Sequence, residues 1–173
     1  MEDIRKNLLI DIVIALILAA IVLFFIRPTV VKQTSMQDTL QPNDYLIMYK
    51  RAYVNKTPQR GDIVIFQSSL TTESGKRKLL IKRVIGLPGD IITIKDDQLY
   101  INGEKYEEDY LRDGVTSGDI ENLEVPKEKY FVMGDNRLVS VDSRYDEVGC
   151  VSLGNIKGKA VFRLYPFNKI GKL

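Results

Sequence analysis

The sequence contains no histidine at all. That removes every Ser-His-Asp or Cys-His nucleophile system, every imidazole acid–base scheme and every histidine metal site. It contains one cysteine, Cys150, which excludes an internal disulfide and a multi-cysteine metal cluster. An excess of one charge is missing too: 25 Lys and Arg stand against 23 Asp and Glu, and a net charge of +2 makes no case for a nucleic-acid partner. What is present suffices for a folded core. Hydrophobic residues are 45% and charged residues 28% of 173, the size of one ordinary domain with a short appendage. Catalysis, if any, is left to Ser, Thr, Tyr, Lys, Arg, Asp and Glu, and no metal or cofactor is expected.

Composition shifts sharply near the N-terminus. Leu8 to Ile26 carries a single charge, Asp11. A helix of that length spans roughly 28 Å, close to the hydrocarbon thickness of a bilayer. The segment is apolar all round, unlike a core helix with one apolar face. The sequence after it, Ile26-Arg27-Pro28-Thr29-Val30, is a poor cleavage site for a secretory signal. The expectation is an uncleaved anchor over residues 1–27, stopped by Arg27-Pro28. Arg5 and Lys6 before the span nearly balance Arg27 and Lys32 after it, so charge alone leaves the orientation open.

Residues 28–173 show no second apolar span, no repeat and no amphipathic helix of ten or more residues. Strand-like runs dominate: Tyr45–Met48, Ile63–Phe66, Leu79–Val84, Ile91–Ile94, Leu99–Ile101, Lys129–Met133 and Ala160–Leu164. Turn signals such as Arg60-Gly61-Asp62, Pro88-Gly89-Asp90 and Asn102-Gly103 separate them. The fold class expected is mostly β, an antiparallel sheet module behind one N-terminal transmembrane helix. Glu104 to Glu128, with nine acids and three bases, reads as a solvated insertion or hairpin. Asn155 to Leu173, with five bases and no acid, reads as a lipid-facing tail or as ordinary surface.

Three segments carry chemistry-bearing residues. The first runs from Val30 to Leu40 and contains Gln33-Thr34-Ser35-Met36-Gln37-Asp38-Thr39. Alone, its Ser-Met pair is no more than a solvated serine. The second is Lys82-Arg83-Val84-Ile85-Gly86-Leu87-Pro88-Gly89-Asp90, where Lys82 inside an apolar strand could simply guard a sheet edge. The third is Gly134-Asp135-Asn136-Arg137-Leu138-Val139-Ser140-Val141-Asp142-Ser143-Arg144, readable as a polar loop tied by its own ion pairs. Taken in this order behind a membrane anchor, with Arg60-Gly61-Asp62 and its apolar strand between, they resemble type I signal peptidases of the compact Gram-positive type.

The resemblance implies a membrane-bound serine endopeptidase that removes signal peptides from secreted preproteins after a small-x-small motif. It assigns Ser35 as nucleophile and Lys82 as general base. Ser140 matches a serine that hydrogen-bonds and orients the lysine, Asp142 and Arg144 a structural ion pair, and Asp135 and Arg83 supporting charges. Met36, Gln33 and Thr34, with the strand around Ile81 to Ile85, would meet the substrate. The family orientation puts the catalytic module on the extracytoplasmic side of the cell membrane. Physical chemistry agrees that, without histidine, a lysine can activate a serine if burial lowers its pKa from about 10.4. Lys82 and Arg83 alternate on a strand, so only one can enter the site.

Two positions depart from the family pattern. Asp38 stands where the family has proline, and its carboxylate either holds the Lys82 pKa up or merely faces solvent in a turn. Gln33 stands where some relatives have a serine that donates to the oxyanion; Gln33 or Thr34 could donate instead. Both departures suggest a narrow set of secreted or pilin-like precursors as partners, with membrane lipid around the anchor. Two rival readings remain: a self-cleaving repressor-type Ser-Lys protease on a related fold, and a membrane-tethered assembly factor without catalysis.

Overall fold

A computed structural model describes residues 2–173, with side chains from Asn7 onward; Arg5 and Lys6, counted above for orientation, therefore lie outside the described side chains. Helix α1 spans Glu2–Phe25. Its described residues, Asn7 to Phe25, have a mean hydropathy of 3.2 and none of them is buried. By length and composition this helix, apolar on every face, is able to cross a membrane. The helix ends at Phe25, ahead of the expected stop at Arg27-Pro28, because the chain switches directly to strand β1, Ile26–Val30. Pro28 is tolerated there because β1 is an edge strand, where a missing N–H leaves no ladder bond unmade. The amide and ammonium of Lys50 donate to the carbonyls of Phe25 and Leu23 in the last helical turn.

After β1 come β2 (Tyr45–Tyr49), β3 (Ile63–Thr71), β4 (Arg77–Gly86), β5 (Ile91–Lys95), β6 (Gln98–Ile101), β7 (Glu104–Lys105) and β8 (Ile120–Glu124). The chain closes with β9 (Lys129–Met133), β10 (Val151–Ser152), β11 (Ile156–Tyr165) and β12 (Gly171–Lys172). The larger sheet has the order β1-β2-β11-β3-β4-β9-β10, with β12 on β11; the smaller has the order β7-β6-β5-β8. All pairings are antiparallel, and the mostly-β reading holds.

One segment differs from expectation. The acidic stretch is not just a solvated loop, since β8 inside it pairs with β5 and its Ile120 and Leu123 pack on the buried Ile92 and Ile94. A register shift between Ile92 and Ile94 breaks the period-2 pattern that would have marked β8 as a strand. The strand expected at Ala160–Leu164 is present and extends through most of the basic tail. It is β11, which lies between β2 and β3, buries Ala160 completely, and pairs Lys159 with Asp62 and Arg163 with Asp44.

Candidate active site

Strand β4 buries every second side chain, Leu80, Lys82 and Val84, on one face of the larger sheet. Lys82 is only 1% exposed. The loop after β1 brings Ser35 to it. That loop is anchored by the buried side chains of Met36 and Leu40 and closed by Leu40 N–H donating to Met36 C=O at 2.7 Å. Lys82 Nζ lies 2.6 Å from Ser35 Oγ, across 47 positions of sequence. Burial pushes the lysine down to about 8, while Asp142 and Asp135 pull it back up and Arg144 lowers it further.

The third segment docks against the serine loop. Asn136 N–H donates to Ser35 C=O at 3.1 Å, and its side-chain amide donates to Thr34 C=O at 3.3 Å. Gly134 packs so closely that a Cβ there would collide with the Ser35 carbonyl oxygen and with Ser140 Oγ. Asp142 accepts from Gly134 N–H at 3.0 Å and pairs with Arg144 Nε at 2.9 Å. Arg144 also donates to the Arg137 and Ser140 carbonyls. On the opposite face of β4, Arg83 makes a two-point pair with Asp135, 2.9 Å from Nε and 2.6 Å from Nη2. Asp135 also accepts from the Thr39 hydroxyl.

Two expectations are corrected by this geometry, and of the two alternatives at Asp38 the solvent-facing one holds. Ser140 is buried beside the pair, yet its Oγ makes no hydrogen bond among the described residues and does not reach Lys82. The turn that returns Ser140 N–H to Asn136 C=O presses the hydroxyl onto Gly134 instead. Asp38 is exposed, and the carboxylates acting on Lys82 are Asp142 and Asp135. Ile85 packs into the core under the smaller sheet, and of the strand residues expected to meet a substrate only Ile81 lines the adjacent groove. Asp38→Asn should therefore leave the pH–rate profile superimposable on wild type; a rising limb moved by half a pH unit or more would mean the carboxylate reaches Lys82 in solution.

A groove of about 620 Å³ opens beside Ser35, floored by Met36, Met48, Ile65 and Ile81. It adjoins a cavity of about 390 Å³ lined by both Ser35 and Lys82. Gln33 and Thr34 are exposed; both line the cavity and Gln33 also lines the groove. Among the described residues no group of three or more His, Cys, Asp or Glu could hold a metal ion.

Sequence reasoning missed the contribution of the acidic segment. The side chain of Glu108 is buried and makes a two-point pair with the buried Arg137 of the third segment, with Thr116 and Tyr110 hydroxyls donating to the same carboxylate. The Tyr110 ring lies 4.0 Å from the Arg83 guanidinium carbon. No local signal distinguishes Glu108 from its acidic neighbours.

Comparison with known proteins matches residues 5–165 to the family described as signal peptidase, peptidase S26. Signal peptidase I of Bacillus licheniformis is 40% identical over 97% of this chain and 95% of its own. Signal peptidase I U of Bacillus subtilis strain 168 is 41% identical over 92% of this chain and 86% of its own. The crystal structure of a signal peptidase I from Enterococcus faecalis V583 superposes with a TM-score of 0.50 at 38% identity, covering 60% of this chain and 97% of that one.

Proposed function

The chain belongs to the signal peptidase family, peptidase S26, a family of proteases that remove signal peptides, and we propose that it acts as a membrane-bound endopeptidase with a Ser35–Lys82 dyad. The observation that carries the dyad is the 2.6 Å approach of a buried, pKa-lowered amine to a serine hydroxyl in a chain without histidine. With Lys82 neutral, Ser35 Oγ–H donates to the Nζ lone pair. As Oγ attacks the scissile carbonyl carbon, the proton passes to Nζ and the carbonyl oxygen becomes an oxyanion held by the Ser35 N–H. The ammonium then protonates the departing amine of the mature chain, and the C–N bond breaks. Lys82, neutral again, deprotonates a water that attacks the ester on Ser35. The signal peptide leaves as its carboxylic acid, and Oγ recovers its proton.

Asp142, Arg144, Asp135, Arg83 and Ser140 hold the two loops in register around this pair and do not react. The preprotein lies extended in the groove, with small residues one and three positions before the cut directed at the floor of Met36, Met48, Ile65 and Ile81. Helix α1 crosses the membrane once within the anchor segment, residues 1–27. The catalytic module, expected over residues 28–173, takes in Ile26 and Arg27 as well through β1 and lies on the extracytoplasmic side, with lipid around the helix. The departures at Asp38 and Gln33 sit in the loop beside the groove and favour a narrow set of secreted or pilin-like precursors.

Incubating the purified full chain with preproteins tests the activity, with sequencing of the new N-terminus to locate the cut after a small-x-small motif. The pH dependence tests the base. Cleavage needs a neutral amine, so kcat/KM should rise about tenfold per pH unit below the Lys82 pKa, bend near pH 8 and level off above it. A profile flat from about pH 6 to 9 would remove Lys82 as the general base.

A further inference from the structure

The nearly neutral protein distributes its charge unevenly in space. Arg27, Lys32, Lys76, Arg77, Lys78 and Lys157 all line the groove beside Ser35, and no Asp or Glu lines it. None of the six takes part in an ion pair among the described residues. The densest run of acids, residues 104–128, belongs instead to the smaller sheet and its connections. The groove thus has an apolar floor and an unpaired cationic rim. Low-dielectric walls under a rim of one sign concentrate the field inside a cleft.

We propose that this groove selects preproteins with acidic side chains beside the small residues of the cleavage motif. The inference rests on the signal peptidase reading above and adds a substrate preference to it. An extended chain alternates its side chains. When the small residues face the floor, the residue between them faces the rim. Lys32 and Lys78 line both the groove and the cavity that holds Ser35 and Lys82, so two of the cations stand at the reacting end. A carboxylate at the intervening position meets their ammonium groups, whereas a lysine there meets like charge on both sides. Lysine stems are flexible and carry point charges, so the preference is for charge rather than for one carboxylate geometry. Anionic lipid is the other source of negative charge. It would engage Arg27, in β1 two residues past helix α1, and would leave Lys32 and Lys78 at the dyad cavity unexplained.

The test uses the full chain in zwitterionic detergent and three preprotein peptides identical except for Asp, Asn or Lys between the two small residues. At low ionic strength kcat/KM should fall in the order Asp, Asn, Lys, with about a tenfold spread from first to last. The spread should shrink to about twofold at ~0.5 M salt, where the screening length is a few ångströms. The double variant Lys32→Gln/Lys78→Gln should bring the ratio of Asp to Lys peptide close to one. Lys127→Gln, an exposed base outside the groove, should leave that ratio at its wild-type value. Equal kcat/KM for the three peptides at low salt overturns the proposal. So does an equal response to all three that rises only when anionic lipid is added, which would make the rim a headgroup site. Failure to cut even the Asn peptide at a small-x-small motif would instead bring down the signal peptidase reading, and this inference with it.

Discussion

Ser35→Ala and Lys82→Ala should each reduce preprotein cleavage by at least about a thousandfold, and the double variant should be no worse than either alone. The two side chains act as one unit: without Nζ the hydroxyl keeps its proton, and without Oγ the amine has nothing to activate. Single-turnover cleavage of a preprotein measures the loss, and retention of more than a tenth of kcat by Lys82→Ala would refute its role. Stability should move the other way for one substitution. In the folded protein burial holds the amine near 8, against 10.5 when exposed. The charged form is therefore penalised in full below pH 8, and the penalty fades as pH rises from 8 towards 10.5, where both states are neutral. Lys82→Met fills the same volume without a charge and should stabilise the fold by ~2–3 kcal/mol at pH 7. The gain should vanish above about pH 10.5, a sign that a merely packed lysine would not show. Denaturant unfolding at pH 7 and at high pH reads both.

Glu108→Ala should be the most destabilising single change outside the dyad. It leaves the Arg137 guanidinium, 1% exposed, without a countercharge, at a cost of about 3–5 kcal/mol. In a domain of this size that lowers Tm by about 10 °C. Activity should drop with it, because Arg137 Nε donates to the Gly134 carbonyl at 3.0 Å and Gly134 abuts the Ser35 carbonyl. Glu108→Leu combined with Arg137→Met removes both charges at similar volume and should recover most of the stability. If Glu108→Ala unfolds within about 1 kcal/mol of wild type, the pair is hydrated in solution and the acidic segment is the solvated loop its composition suggests.

The helix over Glu2–Phe25 was legible because a long apolar run without turn residues satisfies its backbone hydrogen bonds within itself as a helix. The strands around Ile63, Leu79, Ile91 and Lys129 were legible because β-branched and aromatic runs between turn residues fix local backbone preference. The motifs at Ser35, Lys82 and Gly134 to Arg144 were legible as a family resemblance, from residue types in a fixed order.

What the sequence could not decide is anything set by where distant segments meet. Strand β1 reads as the end of an apolar run, and only pairing with β2 makes Ile26 to Val30 a strand. Ser140 carries the right hydroxyl at the matching position, but the turn back to Asn136 aims it at Gly134 rather than at Lys82. Asp38 sits three residues from Ser35 in sequence yet faces solvent, while Asp142, more than a hundred positions away, acts on the amine that Ser35 touches. Glu108 looks like any acid in an acidic run until the smaller sheet carries it to Arg137. Spacing along the chain fixes local conformation through bonds and side-chain periodicity. Burial, ion pairing and the pKa of Lys82 depend on through-space distances, and those exist only once the sheets have closed.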